Sequence, residues 1–145
     1  MQIRQISIFL ENRPGQLSAI CRELAETGIN IATLSLADTS DFGIVRMITT
    51  SAQTDEAICI LREAGYTART NHVICAAIDD RPMGLCRLLT MIEKEGLSVE
   101  YMYSFRRDGN GHALMILRLS ENDRGAELLQ REQVRIYTQE EVDLL

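Results

Sequence analysis

Displaced by 68 residues, the chain lies over itself without a gap. Ile6 falls on Ile74, Arg13-Pro14 on Arg81-Pro82, Leu17 on Leu85, Gly28 on Gly96 and Gly43 on Gly111. Met47-Ile48 falls on Met115-Ile116, Asp55 on Asp123 and Thr70 on Thr138. The identities are sparse, but they sit on residues that start and stop elements, and the apolar pattern agrees between them. A repeat of this kind sets the architecture before any local reading does. The 145 residues divide into two copies of one unit, about 70 residues each. Units of that size bury modest cores, so the halves are expected to share a surface or to dimerise.

Within the first copy, Ile6, Ile8 and Leu10 alternate with Ser7 and Phe9 as a strand does. Asn12-Arg13-Pro14-Gly15 interrupts, and proline ahead of a periodic apolar stripe marks a helix start. Leu17, Ile20, Cys21 and Leu24 form that stripe, and Gly28 ends it. Strands are expected over 30–37 and 43–49 around a polar turn, then a helix over 53–64 closed by Gly65, then a short strand from Tyr66. The second copy repeats the order. A strand covers 73–78, Arg81-Pro82 opens a helix bearing Leu85, Leu88, Leu89 and Ile92, and Gly96 ends it. Strands over 99–105 and 112–119 flank Asp108-Gly109-Asn110-Gly111, a strong hairpin signal. A helix over 122–130 and a strand over 134–137 close the unit, and an acidic tail helix follows. The expected class is α+β, with two tandem βαββαβ units, each a four-stranded antiparallel sheet with both helices on one face. The boundaries are 1–70, 71–138 and a tail at 139–145, with only Asn71-His72 as a link. Val99, Tyr101, Tyr103 and Phe105 share one strand face by alternation. That stripe is either core beneath the helices or a sheet-face contact with the sister domain or another chain.

Charge and motif content narrow the function. The net charge is −6, the pI is near 4.9, and Arg106-Arg107 is the only adjacent basic pair. A nucleic-acid binder carries a basic stripe, so no nucleic-acid partner is expected. No apolar run approaches the ~20 residues of a membrane span. The amino terminus starts in a strand pattern without a signal peptide's apolar stretch, which points to the cytoplasm. Cys21, Cys59, Cys75 and Cys86 form no CxxC pair and do not superpose under the shift. They read as buried free thiols rather than as metal ligands. The two histidines, His72 and His112, belong to no nucleophile–base pattern, and no phosphate loop or HExxH occurs. Asp108-Gly-Asn110-Gly-His112 would need a glutamate at its twelfth position to bind calcium, where Leu119 stands, so it reads as a turn. Neither catalysis, a metal nor a cofactor is expected.

The loop after the first strand is the candidate site. It enters a helix whose leading amides lack intrahelical partners and so favour a carboxylate. Gly15 permits close approach to the backbone, and Asn12 offers both a carbonyl and an amide. Asn30, at the next strand, is expected nearby. Each has a plain structural reading beside the functional one. Asn12 caps the helix, Gly15 serves the turn, and Asn30 satisfies backbone groups after Gly28.

The run ISIFLENRPGQLSAICRELAETGINIATLSLADTSDFGIVRM, from Ile6 to Met47, resembles an ACT domain. In particular it is similar to the N-terminal ACT domain of the regulatory subunit of acetohydroxyacid synthase. The second copy, IDDRPMGLCRLLTMIEKEGLSVEYMY, fits the same pattern more loosely, so the chain resembles a tandem ACT-domain protein. The resemblance implies ferredoxin-like units that pair and bind amino acids at the pairing interface. It implies ligand contacts at Asn12, Arg13, Pro14, Gly15, Gln16, Leu17, Asn30 and Ile31. A weaker second site is implied at Asp80, Met83, Gly84, Leu85 and Ser98. Because Gly15 is replaced by Met83 and Asn30 by Ser98, two equal sites are not expected. The function implied is a non-catalytic homodimeric sensor of an amino acid, with a branched-chain ligand mildly favoured. The alternative is a regulatory subunit that docks on an amino-acid biosynthetic enzyme and needs no ligand of its own.

Overall fold

The computed structural model describes residues 1–11, 13–38 and 41–145, with the side chain of Asp38 excluded. They group into two compact units, Arg4–Asn71 and His72–Leu145, the latter joined by Met1–Ile3.

The first unit contains β1 (Ile3–Glu11), α1 (Gln16–Glu26), β2 (Thr33–Asp38), β3 (Phe42–Ile48), α2 (Ser51–Glu63) and the leading part of β4 (Thr67–Asp79). Its strands are hydrogen-bonded in the order β2-β3-β1-β4. Ile6 stands opposite Met47 and Ile8 opposite Val45 in the antiparallel β1–β3 ladder. Those residues, with Leu10, bury against Ile20 and Leu24 of α1 and against Ala57, Ile58 and Leu61 of α2. Period-two and period-3.6 patterns therefore meet in one core.

The second unit takes up the rest of β4, then α3 (Gly84–Lys94), β5 (Val99–Arg107), β6 (His112–Leu119), α4 (Asn122–Arg131), β7 (Ile136–Tyr137) and α5 (Gln139–Asp143). Its order is β5-β6-β4-β7. Ile74 and Ala76 of β4 and Met115, Leu117 and Leu119 of β6 bury against Leu88 and Ile92 of α3 and Leu128 and Leu129 of α4.

Several expected boundaries shift, each for a local reason. Both Arg-Pro pairs lie in turns ahead of their helices: Arg13 N donates to Glu11 O and Gln16 N to Arg13 O, just as Arg81 N donates to Asp79 O and Gly84 N to Arg81 O. The helices accordingly begin at Gln16 and Gly84. β2 starts at Thr33 rather than at residue 30, because Asn30 N is taken by Gln53 Oε1 instead of a sheet partner. β4 runs unbroken through Asn71-His72, so the closing strand of one copy and the opening strand of the next are a single element, and the described residues form seven strands. The stripe on β5 is interrupted by irregularities between Val99 and Tyr101 and between Ser104 and Arg106. Val99 and Met102 pack with the helix-side core, whereas Tyr101 and Tyr103 stand opposite Arg118 and Ile116 on the other face. Of the four free cysteines only Cys75 is buried; Cys59 and Cys86 are exposed and Cys21 is intermediate, lying outside the buried stripes of their helices.

Candidate functional site

In the first loop, Arg13 to Gln16 form a turn closed by Gln16 N donating to Arg13 O at 3.2 Å. Arg13, Pro14 and Gly15 are exposed, and Arg13 pairs with Glu11 at 2.6 Å. Gly15 has φ +88°, the left-handed region that favours glycine, and occupies the N-cap position of α1. It has no side chain to offer the leading amides, and its carbonyl receives Ala19 N at 3.0 Å and Ser18 Oγ at 2.9 Å. Gln16 is half-buried and Leu17 leans on the core. Asn30 is exposed and precedes β2; Ile31 packs partly against the core. Asn12 lies outside the described residues.

In the second unit the corresponding loop borders a cavity of about 460 Å³. Four segments wall it. The end of β4 supplies Ala77, Ile78 and Asp79, and α3 supplies Gly84, Arg87, Leu88 and Met91. The β5–β6 hairpin adds Asp108, Asn110 and His112, and the approach to β7 adds Gln133, Val134 and Arg135. Gly84 is buried where α3 meets the backbone of β4. Asp80 and Met83 are exposed beside the cavity; Asp80 pairs with Arg107 at 2.6 Å. Leu85 is exposed on the first turn of α3. Ser98 is tied to Ser120, with its amide donating to Ser120 Oγ at 3.1 Å, and does not line the cavity. Of the residues implied for the second site, Gly84 alone is a wall residue.

Asp108 organises the hairpin. Its side chain is only 5% exposed. Oδ1 accepts the amides of Asn110 at 2.8 Å and His112 at 3.1 Å, and Oδ2 faces His112 Nδ1 at 2.9 Å. Burial opposes ionisation, but the two amides and the His112 ring outweigh it and hold the carboxyl below its usual pKa. His112 Nε2 faces Asp79 Oδ1 at 3.8 Å. Arg135 is engaged with Glu141 at 3.2 Å and stacks 4.5 Å from the Tyr137 ring centroid. The guanidinium of Arg87 has no hydrogen-bond or ion-pair partner among the described residues. The cavity thus presents an unengaged cation, a carboxylate and an imidazole side by side at Asp79 and His112, and an apolar wall of Ile78, Leu88, Met91 and Val134. Such a lining suits a small zwitterion with an aliphatic side chain.

The spacing of Asp79, Arg87, His112 and Arg135 along the chain does not suggest one site; the ladder that sets Asp79 directly opposite His112 does. The one usable sequence signal was Asp108-Gly-Asn110-Gly-His112, read only as a turn. A second hollow of about 520 Å³ is lined by Met1, Gln2, His72, Arg118, Asn122 and Asp123. Its polar groups are largely engaged with one another, Asn122 Nδ2 donating to His72 O at 2.8 Å and Arg118 Nη1 to the same carbonyl at 2.9 Å. Among the described residues no His, Cys, Asp and Glu group is arranged for a metal ion, and no helix is long and apolar enough to cross a membrane.

Comparison with known proteins places this architecture. The crystal structure of protein BT0572 from Bacteroides thetaiotaomicron is 32% identical, covers 100% of this chain and 98% of its own, and superposes with a TM-score of 0.89. The ligand-free regulatory subunit of aspartate kinase from Thermus thermophilus is 14% identical, with 88% of this chain and 91% of that one covered and a TM-score of 0.62. Aspartokinase III from E. coli, in complex with lysine and aspartate, is 14% identical and aligns 90% of this chain with 30% of its own at a TM-score of 0.55. These last two likenesses are of fold. No curated protein sequence matches. The model of the family described as an ACT domain pair matches residues 1–145, and the chain belongs to that family.

Proposed function

We propose that this protein is a non-catalytic sensor that binds an amino acid and passes the event on as a shift between arrangements of its ACT domains, modules 1–70 and 71–138, each built on four antiparallel strands. The observation that carries the reading is the cavity at the head of α3, where the unengaged Arg87 and the Asp79–His112 acceptors border one apolar wall. An α-carboxylate suits the first and an α-ammonium the second. The apolar wall suits an aliphatic side chain, in keeping with the branched-chain preference implied by the first copy's likeness to the regulatory subunit of acetohydroxyacid synthase. The similar aspartokinase III was solved with lysine and aspartate, which lends the ligand class support by analogy of fold. The first loop, with Asn12, Gly15 and Asn30, is proposed as a second, differently selective position. We place the protein in the cytoplasm as a homodimer, with a light-scattering mass near twice the 16.4 kDa chain; a mass of one chain at micromolar concentration refutes the dimer.

The mechanism is linkage. A ligand that binds one arrangement more tightly raises its population by that difference in affinity and no more. Calorimetric titration against the twenty amino acids tests the reading. One or a few, aliphatic among them, should bind, and Arg87→Ala should weaken that binding at least ten-fold. Silence from a folded sample removes the sensor reading.

A second reading, a docking module for an amino-acid biosynthetic enzyme, is favoured by Phe9 at 49% and Phe42 at 59% exposure. Both lie on the sheet face of the first unit that turns away from its helices. Co-purification of such an enzyme, unaffected by Asn12→Ala or Asn30→Ala, supports this second reading.

A further inference from the structure

We infer that the cavity holds its ligand by an ammonium clamp, in which His112 Nε2 and the Asp79 carboxylate accept hydrogen bonds from one primary ammonium group; this rests on the sensor reading above. The argument begins at Asp108. Its Oδ1 is committed to the amides of Asn110 and His112, and its Oδ2 lies 2.9 Å from Nδ1 of His112. An ionised carboxylate only accepts, so Nδ1 must carry the hydrogen. In the neutral ring, the form the clamp takes, that is the single N–H, and Nε2 is left as an acceptor. Nε2 faces a second acceptor, Asp79 Oδ1, at 3.8 Å. That separation is too long for a hydrogen bond between them, and two acceptors have nothing to exchange.

Asp79 and His112 are direct partners in the β4–β6 ladder, so the backbone sets their spacing. A compact group with several N–H bonds can satisfy both at once, and an ammonium carries three. Of the neighbouring cations, Arg135 is engaged by Glu141 and Arg107 by Asp80, and Arg87, which lines the same cavity, forms no ion pair with Asp79. Asp108 is then a positioning residue, acting on the ligand through the tautomer of His112.

The variant Asp108→Asn separates this role from a structural one. The amide oxygen can still accept the two turn amides, but its NH2 would face Nδ1 and move the ring hydrogen to Nε2, turning the acceptor into a donor. We would titrate wild type and Asp108→Asn with the best-binding amino acid and with its des-amino carboxylic acid. The variant should bind the amino acid on the order of ten- to a hundred-fold more weakly and the des-amino acid as well as wild type does. Nitrogen-15 spectra of the wild-type ring, ligand-free at mildly alkaline pH, should place the hydrogen on Nδ1 and none on Nε2. A hydrogen on Nε2, or a variant that loses both ligands equally or neither, overturns the clamp while leaving the sensor reading intact. Failure of all twenty amino acids to bind folded wild type removes both.

Discussion

At the scale of single residues, the two copies use glycine in equivalent loops for different physical reasons. Gly15 has φ +88°, and among the described residues nothing comes within 4 Å of a Cβ built on it. Gly84 has no such torsion, but a Cβ built on it would lie 1.9 Å from the carbonyl oxygen of Asp79. The displacement of one position between them, legible in the sequence as Gly15 against Met83, is therefore a change of mechanism rather than a slip of alignment. Gly84→Ala should cost about 1–3 kcal/mol as an overpacking change, because the obstacle is backbone that cannot rotate away. Gly15→Ala should cost about 1–2 kcal/mol through its torsion alone. Urea denaturation measures both; a neutral Gly84→Ala would contradict the close approach. Asp108 gives a pH prediction. Its pKa is lowered in the fold, so its contribution to stability is complete above the unfolded carboxylate value of roughly 3.9. It then falls away as the pH drops through the lower folded value. The stability gap between wild type and Asp108→Ala should thus be widest near neutrality and close in acid. A gap independent of pH would assign the loss to packing instead.

At the scale of elements, periodicity told helix from strand throughout, yet it misread β5. Alternation put Val99, Tyr101, Tyr103 and Phe105 on one face, but the irregularity after Val99 moves Tyr101 and Tyr103 to the face opposite it. A bulge inserts a residue into one strand only, and nothing in that strand's own pattern reports the insertion. The tail was better marked. Thr138 caps α5 reciprocally with Glu141: Thr138 Oγ1 accepts Glu141 N and Glu141 Oε2 accepts Thr138 N at 2.8 Å. The amide of Thr138, followed by Arg135 against the cost of desolvation, holds the Glu141 carboxyl below its usual range. The helix is only five residues long, but it buries Val142. Near it, Arg106 donates to the carbonyl of Leu145. Thr138→Ala should cost about 0.5–2 kcal/mol, with amide hydrogen exchange in α5 accelerating before that of β6. Unchanged exchange there would mean the cap is not what orders the tail.

At the scale of the whole molecule, the duplication is reproduced as the same strand order in each unit, β2-β3-β1-β4 and β5-β6-β4-β7. The thiols report how unevenly the chain buries its cysteines. Burial, with a smaller contribution from Glu141, pushes the Cys75 thiol up to about 12, while Cys59 and Cys86 are exposed. A maleimide or iodoacetamide should modify the exposed pair within minutes at pH 8 and Cys75 only after unfolding; early labelling of Cys75 would show that its face opens. The sign for stability follows. A thiol kept neutral by the fold costs nothing below its unfolded pKa of roughly 8.5 and becomes destabilising as the pH rises from there towards 12. From the sequence alone came the repeat, the order of elements, the hairpin and the resemblance to ACT domains, because those depend on patterns local to a few residues. The tertiary structure alone decided that Asp79, Arg87, Asp108 and His112 line one cavity of the second unit. Those four residues come from three segments, β4, α3 and the β5–β6 hairpin, and they share a site because strand register and helix docking bring the segments together, which no spacing between the segments encodes.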